Sequence, residues 1–536
     1  MVLEGESLCQ VPVTGADEGS NFSIQMIRPV MRRFLSALAI FPGLISVTGA
    51  QLSHDAPWPL QTYQSSTIKT PLMEVTKIGQ TEPGFLFISP SDIIRGDSHP
   101  AIYSDDGQLV WQGAKGNYTA LQPQMLDGEP VIAYWEGFQG AGFGFGHITI
   151  LNSSYDEIHR VTLSCKDQRF VTVYDPMELD SCIDLHESQF TENGTVLVTA
   201  VNVTQADLTS IGGQKDGWIQ DGLIYEIDIK TNEILFRWSA YEHRNEAPMG
   251  YDWAPIGATG AGSGVNKTDP YGYPHLNSIY KYGNDYLLSS RYMCSIFFIA
   301  PNGSIIWHLH GRTGGDFNLG LDTNFCYQHD VRFMAQSPER VTLSMHNNDN
   351  TEFTGHTSLT TGLVLHVELQ GSKDVTVESR MWDAAEPVYV ESQGSYQVLK
   401  NGHALQGHGA IPKIEEYDEN GIVVMRARFG YDNIVQSYRA YRYPWVGRPS
   451  TKPDAAACLS DEDGKIAVHV SWNGATDVVS WKVYSGSQLK QTATRNGFET
   501  TILVDGLSEN DSVVVETVGG FGDGTRSKSV TVGLSC

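Results

Sequence analysis

The stretch Phe325-Cys-Tyr-Gln-His-Asp-Val-Arg-Phe-Met-Ala-Gln-Ser-Pro-Glu-Arg-Val-Thr-Leu-Ser-Met-His-Asn-Asn348 decides how the chain is read. His329 opens a short apolar alternation, Gln336-Ser-Pro-Glu339 makes a polar turn, and Val341 to Met345 reads as a second strand. The layout occurs twice more. Asp184-Leu-His-Glu-Ser-Gln-Phe190 leads through Asn193-Gly194 into Thr195-Val-Leu-Val-Thr-Ala200. Tyr273-Pro-His-Leu-Asn-Ser-Ile279 leads through Gly283-Asn284 into Tyr286-Leu-Leu-Ser-Ser-Arg291. Each histidine stands eight residues before its turn residue: His186 to Gly194, His275 to Gly283, His329 to Ser337. A fixed offset in three successive copies implies one structural position held by histidine three times.

Working outward, the same strand–turn–strand unit recurs as a second kind of hairpin, often ending in Trp. Six versions are present: Ile102 to Trp111, His147 to Val161, Tyr225 to Trp238, Phe297 to Trp307, His366 to Trp382 and Ile414 to Met425. Each alternates apolar and polar residues around a Gly, Asn or Asp turn. Between them lie the histidine hairpins and two more inner pairs, Gln122 to Tyr134 and Ser395 to Leu405. An inner pair plus an outer pair, six times over, predicts an all-β six-bladed β-propeller spanning residues 51–450. The first strand of a propeller blade lines the central channel, so His186, His275 and His329 should converge near one mouth. The insert from Pro248 to Pro274 should loop over that mouth, and Tyr438 to Trp445 should lead out of the last blade towards a linker at Pro449 to Pro453. An array of immunoglobulin-like sandwiches is the rival architecture; the irregular inserts between units favour the propeller. From Cys458 to Cys536 the strands shorten and carry Trp and Tyr, which predicts a fibronectin III-like β-sandwich over 451–536.

Composition sets the outer bounds. The 536 residues include 54 glycines, aromatic residues at 10% and charged residues at only 18%, a turn-rich β profile. A formal net charge of −26 excludes nucleic acid and anionic membrane surfaces as natural partners, because both attract cationic faces. Residues 1–50 read as a leader containing a secretory signal: Met31-Arg-Arg33, an apolar run from Phe34, and small residues Thr48-Gly-Ala50 before Gln51. That run is too short to span a bilayer, so no stable membrane insertion is expected. Sequons at Asn117, Asn152, Asn193, Asn202, Asn266, Asn302 and Asn510 agree with passage through the secretory pathway or export. Removing the leader deletes Cys9 and leaves six cysteines, an even number suited to disulfides. Cys458 and Cys536 bracket the sandwich and should tether its ends, with Cys165–Cys182 and Cys294–Cys326 as the remaining pairs.

Residues 102–445 resemble the arylsulfotransferase family, especially its fungal branch. The phrases that carry the likeness are Asp221-Gly-Leu-Ile-Tyr-Glu-Ile-Asp-Ile229, Leu235-Phe-Arg-Trp-Ser239, His275-Leu-Asn-Ser-Ile279, Leu288-Ser-Ser-Arg291, Ile306-Trp-His-Leu-His-Gly311, Gln328-His-Asp330 and Ser437-Tyr-Arg-Ala-Tyr-Arg-Tyr-Pro-Trp445. The family consists of six-bladed propellers, so the resemblance implies the fold that the repeats predict. In members that transfer sulfuryl groups, the histidine of the Gln-His step accepts the group, which here is His329. The resemblance also implies roles for His275 and Asn277, for Arg291, and for His186. A neutral imidazole attacks sulfur, while Arg291, Asn277 and His275 donate to oxygens that gain charge, and His186 takes the proton of an acceptor phenol. The chain departs from the family pattern around the pocket floor: Tyr292-Met-Cys follows Arg291, His346 lies in Ser344-Met-His-Asn-Asn348, and His408 replaces a common Trp. Tyr292, His346 and His408 are therefore candidate substrate contacts.

The fungal branch also contains hetero-Diels–Alderases of tropolone sesquiterpenoid pathways, which join a quinone methide to a polyene such as humulene. That reaction needs proximity and donors on a carbonyl oxygen, not a sulfate donor, and on sequence it ranks first, with aryl sulfuryl transfer second. The expected substrate is a small aromatic or terpenoid molecule, and no cofactor is called for. Three rival readings stay open. The histidines could merely satisfy buried channel groups, they could form a His₃ metal site, although no carboxylate stands at matching spacing, or the chain could be a non-catalytic secreted binding propeller. The oligomeric state has no signal in the sequence.

Overall fold

The computed structural model describes residues 57–140, 142–173, 179–251, 254–258, 260–351, 353, 358–460 and 464–536. The leader and its cleavage point lie outside these residues. The protein is all-β; among the described residues the only helical turns are 3₁₀ turns at Thr209–Ile211 and Met249–Tyr251.

Antiparallel meanders account for most of the chain. One sheet runs Tyr118–Leu126, Glu129–Gly140, Phe143–Leu151, Glu157–Val161, and the next Ser188–Phe190, Thr195–Ala206, Gly217–Asp228, Ile234–Ser239. Then come Leu276–Tyr282, Asp285–Ser290, Ser295–Ile299, Ile305–His310, and His329–Gln336, Arg340–Asn347, Thr361–Glu368, Asp374–Met381. Ser395–Val398, Ala404–Gly407, Lys413–Tyr417 and Val423–Arg428 follow, with Glu74–Lys77 added at the outer edge. All the hairpins read from the alternation are present.

The last sheet differs from expectation. Residues 438–445 do not lead out of the ring: Ala440–Tyr443 pairs with Phe85–Ile88, which pairs in turn with Ala101–Tyr103 and Leu109–Gln112. The C-terminal strand is thus the innermost strand of the sheet that the N-terminal strands build. Its closure buries Phe87, Ile102 and Trp445 in one apolar cluster.

Each sheet packs its faces against its neighbours. Val131, Ala133 and Ile148 meet Val196, Val198 and Leu223, and Leu287, Ile296 and Phe298 meet Val341, Leu343 and Leu363, all fully or nearly fully buried. Burial of both faces explains why the middle strands read as apolar runs. The first strands contact one another in sequence: Tyr118–Leu126 meets Ser188–Phe190, the following hairpin meets Leu276–Tyr282, then His329–Gln336, Ser395–Val398 and Ala440–Tyr443, which returns to Tyr118–Leu126. This closed cycle is the arrangement of a β-propeller.

An ionic knot lies among the inner strands of the cycle. Glu187, Asp330, Arg332 and Arg439 are buried together, with Arg439 Nη1–Glu187 Oε1 at 2.9 Å, Arg332 Nη1–Glu187 Oε2 at 2.7 Å and Arg332 Nη2–Asp330 Oδ1 at 2.8 Å. Arg439 Nη2 also donates to the carbonyls of His186 (2.9 Å) and Asn277 (3.1 Å). Tyr441 Oη donates to Asp330 Oδ1 at 2.9 Å, and the Tyr396 amide to Asp330 Oδ2 at 3.2 Å. Two negative and two positive charges balance here while tying five inner strands together.

C-terminal to the ring, the sheet Asp454–Leu459, Ile466–Ser471, Glu499–Val504 faces the sheet Gln488–Thr494, Ser480–Ser485, Ser512–Val518, Val530–Thr531. Trp472, Trp481, Val468, Val483 and Val515 form the core between them. Asn473 exchanges 2.9 Å hydrogen bonds with the Gln112 backbone, and Tyr155 Oη, stacked on Trp111, donates to the Gly474 carbonyl at 2.8 Å. The three expected disulfides, Cys165–Cys182, Cys294–Cys326 and Cys458–Cys536, are all present. Of the sequon asparagines, Asn117, Asn193, Asn266, Asn302 and Asn510 are exposed, and Asn152 and Asn202 half-buried.

Candidate functional site

The repeated offset places its three histidines as read. His275 immediately precedes an inner strand, His186 stands two residues before one and His329 begins one, and all three are buried. Their turn glycines, Gly194 at φ 75° and Gly283 at φ 58°, sit in the left-handed region that a tight turn requires. The His186 and His275 rings lie edge to face at 4.9 Å, and Tyr438 reaches both His186 (5.6 Å) and His329 (6.3 Å). Arg291 acts electrostatically on both His275 and His329. The result is a chamber of imidazoles, one phenol and one arginine above the ionic knot.

Several of the fifteen non-glycine residues with positive φ among the described residues lie in or beside this group. His275 (φ 58°), Cys294 (48°), Tyr327 (54°) and Asp330 (54°) all adopt the left-handed region without being glycine. Each such residue costs about 1–3 kcal/mol and persists where surrounding structure holds it. The Cys294–Cys326 disulfide joins the two segments that carry this strain.

His329 is held at both nitrogens. The Asn348 amide donates from Nδ2 to the carbonyls of Gln393 (3.0 Å) and Val390 (3.4 Å), which leaves Asn348 Oδ1 as the acceptor 2.7 Å from His329 Nδ1. Nδ1 therefore carries the proton. Nε2 accepts from the Gln393 amide at 3.2 Å and so presents a lone pair. Burial, reinforced by Arg291, pushes the His329 pKa well below its ordinary value, so the ring is neutral. His275 is likewise kept neutral by burial, with Arg291, His186 and His329 adding to the effect.

The other expected residues are in the same region. Asn277 Nδ2 donates to the Gln328 carbonyl at 2.6 Å, which fixes the segment leading to His329. Tyr292 packs 4.5 Å from His275, and its hydroxyl donates to the Gly260 carbonyl of the insert. Arg291 Nη2 donates to the Glu391 carbonyl at 3.0 Å. His346 and His408 pair at 5.6 Å; His346 Nδ1 accepts from Gln406, and His408 Nε2 lies 2.9 Å from Glu415.

Several buried polar atoms have no hydrogen-bond partner among the described residues: His275 Nδ1, Asn277 Oδ1, His346 Nε2, His408 Nδ1 and Tyr438 Oη. Burying such an atom unpaired costs about 1–3 kcal/mol, so a polar guest bound beside these groups would relieve that cost. Reading the sequence missed Tyr438, Asn348 and Gln393 as parts of the site. Tyr438 lies inside a phrase that carries the family likeness, but nothing local distinguishes it from Tyr441 and Tyr443. A pocket of about 690 Å³ lined by Tyr251, His308, His310 and Asp316 lies on the outer strand Ile305–His310, away from this chamber.

Among the described residues, one group of three metal-type ligands converges, Cys458, His469 and Cys536. The two cysteines are joined as a disulfide there and offer no thiolates.

Solved structures with similar chain paths include a protein of unknown function from Bacteroides caccae (12% identity, TM-score 0.36, covering 67% of this chain and 99% of that one). Virginiamycin B lyase from Staphylococcus aureus matches at 10% identity and TM-score 0.30, over 74% of this chain and 95% of that one. The Malassezia sympodialis allergen Mala s 1 matches at 8% and 0.28, over 64% and 84%. At such scores these likenesses bear on neither mechanism nor substrate. A search of curated proteins finds no match. The family comparison is the informative one: residues 122–430, more than half of the chain, match the family described as Arylsulfotransferase (ASST). They span the three histidine hairpins, Arg291 and Asn348, and the chain belongs to the arylsulfotransferase (ASST) family.

Proposed function

We propose that the protein is a sulfuryl-transfer enzyme acting between phenols, with His329 as the nucleophile. The observation that carries this is the tautomer of His329. A carbonyl is polarised by a donor, whereas His329 offers a lone pair at Nε2 and commits its proton to Asn348. This reverses the order suggested by the sequence, where cycloaddition ranked first.

In the first half of the reaction, Nε2 attacks the sulfur of an aryl sulfate, the sulfur–oxygen bond breaks, and a phenolate leaves. Arg291, the cation that acts on His275 and His329, balances the charge on the sulfuryl oxygens. The Gln393 amide must withdraw from Nε2 for this to happen, so the backbone strap 390–393 moves when donor binds. In the second half, an acceptor phenol takes the sulfuryl group and His329 returns to its starting state. The cycloaddition reading of the fungal branch would instead use Arg291 and the Tyr438 hydroxyl as donors to a quinone methide oxygen, leaving the His329 lone pair idle.

We further propose that the ring is a six-bladed propeller covering residues 51–450, followed by a fibronectin III-like sandwich over 451–536. The mature chain starts near Gln51 and is exported with glycans on its exposed sequons. The three disulfides support export. No helix among the described residues is long and apolar enough to cross a membrane.

The test supplies wild type and His329→Ala with a nitrophenyl sulfate plus phenol, and separately with a quinone methide precursor plus humulene. Phenyl sulfate formed by wild type, a sulfuryl mass gain on the peptide containing His329, and loss of turnover by more than about a thousandfold in the variant are expected. Cycloadduct above background with no sulfated phenol would overturn the reading.

A further inference from the structure

We infer that Asp184 is a positioning residue that holds His186 ready to accept a proton, and that it serves only the acceptor half of the reaction. This rests on the sulfuryl-transfer reading above.

Asp184 is buried, and its oxygens are saturated by donors. The Gly144 amide donates to Oδ1 at 2.8 Å, and Thr199 Oγ1 donates to Oδ2 at 3.0 Å. His186 Nδ1 lies 2.5 Å from Oδ2, and the His186 amide approaches the same oxygen at 3.4 Å. A carboxylate with only acceptor sites obliges Nδ1 to be the protonated nitrogen. Nε2 is then the basic atom, and the ring that bears it is packed by His275, Tyr438 and Phe143. The three chamber histidines are therefore not equivalent. His329 is oriented by an amide, which cannot stabilise an imidazolium as a carboxylate does. His275 has no partner at Nδ1 among the described residues. His186 alone among the three has a carboxylate behind it, which lets it gain a proton and hold it.

The chemistry calls for such a base at one step only. When an aryl sulfate with an acidic phenol gives up its sulfuryl group, the phenolate departs without a proton. When a neutral phenol attacks the sulfur on His329 Nε2, its hydroxyl proton passes to His186 Nε2 as the oxygen–sulfur bond forms and the nitrogen–sulfur bond breaks. The proton is then released, and the Asp184–His186 dyad returns to its starting state.

The measurement is rapid-mixing release of nitrophenol from a nitrophenyl sulfate, followed to steady state with a series of phenol acceptors of different acidity. In Asp184→Asn the burst rate should fall less than about tenfold, whereas turnover with phenol should fall about a hundredfold or more, the usual value of general base catalysis. Turnover should recover as the acceptor becomes acidic enough to arrive already ionised. An equal defect for all acceptors, or no defect, overturns the dyad. Absence of a burst in wild type overturns the dyad together with the transfer reading. Should Asp184→Asn fail to fold, His186→Asn carries the same expectation, and an equal loss in both half-reactions overturns it.

Discussion

Two neighbouring clusters in the middle of the ring are equally buried and equally polar, yet built on opposite terms. In the knot, each of Glu187, Asp330, Arg332 and Arg439 faces an opposite charge, and Tyr441 adds its hydroxyl. Burial alone would raise the Glu187 carboxyl, but Arg332 and Arg439 outweigh it and hold the group at about 2. In the chamber directly above, His275, Asn277, His346, His408 and Tyr438 each leave a polar atom without a partner among the described residues. Satisfied charge is architecture, and unsatisfied polarity is where a guest belongs. The distinction matters because a list of buried polar residues would have pooled the two.

The sharpest way to break this comparison is to remove one charge from the knot. Glu187→Gln leaves two guanidinium groups facing one carboxylate, and unpairing a buried ion costs about 3–5 kcal/mol. The expected result is a fall of that size in unfolding free energy by denaturant titration. A chamber substitution of similar size, His275→Gln, should cost less than about 1 kcal/mol. If the two variants lose comparable stability, the division between architecture and site fails.

That division was only half legible in the sequence. Strands are local: period-two alternation around Gly194 or Gly283 announces a hairpin wherever one face is buried. The repeated histidine offset then marks an inner-strand start, because every copy of a hairpin projects the same position inward. Ring closure was not readable. Ala440–Tyr443 pairs with Phe85–Ile88 across most of the chain, and no local pattern encodes so distant a partner. For the same reason Arg439 could not be assigned to Glu187, nor Tyr438 to His186, from sequence. Asp184 stands two residues before His186 in the sequence, but only the fold shows that its carboxylate turns back onto the ring.

Acid should dissect the two clusters in order. Burial, the first cause for each, depresses the pKa of His275, His329 and His346 well below the ordinary 6.5. The unfolded chain therefore binds protons that the folded chain refuses, and stability falls as pH drops below about 6.5. Each such histidine contributes a slope of up to about 1.4 kcal/mol per pH unit. Glu187 works at lower pH: its stabilisation is present above about 4.5 and is lost as pH falls towards about 2. Melting curves of wild type and His346→Gln should converge as pH falls from about 7 to about 5, because the variant no longer pays the protonation penalty at that position. Parallel curves would show that His346 titrates normally. Nitrophenol release in the first half-reaction, which does not use the dyad, should persist below pH 6.5, since His329 stays neutral there, and a loss of that step near the ordinary histidine pKa would contradict its assigned environment.

The smallest effect is the most direct comparison, because it changes one oxygen in each cluster. Tyr438 and Tyr441 lie three residues apart on the same returning segment, and both are buried. Tyr441 Oη donates to the Asp330 carboxylate at 2.9 Å, whereas Tyr438 Oη has no partner among the described residues. Burial raises both phenol pKa values, so both groups are neutral donors across the working range. Tyr441→Phe removes a hydrogen bond to a charged group and should cost about 1.5–3 kcal/mol. Tyr438→Phe removes an oxygen whose desolvation nothing repays, so stability should stay within about 0.5 kcal/mol or rise. In the enzyme assay the order should invert. Tyr438 touches His186 and His329, and losing its hydroxyl should slow turnover about tenfold, the value of one hydrogen bond to the reacting group. Tyr441→Phe, assayed below its melting range, should stay within about twofold of wild type, since its hydroxyl points into the knot. If Tyr438→Phe proves the more destabilising of the two and turns over normally, the unpartnered hydroxyl is a structural group and the chamber boundary must be redrawn without it.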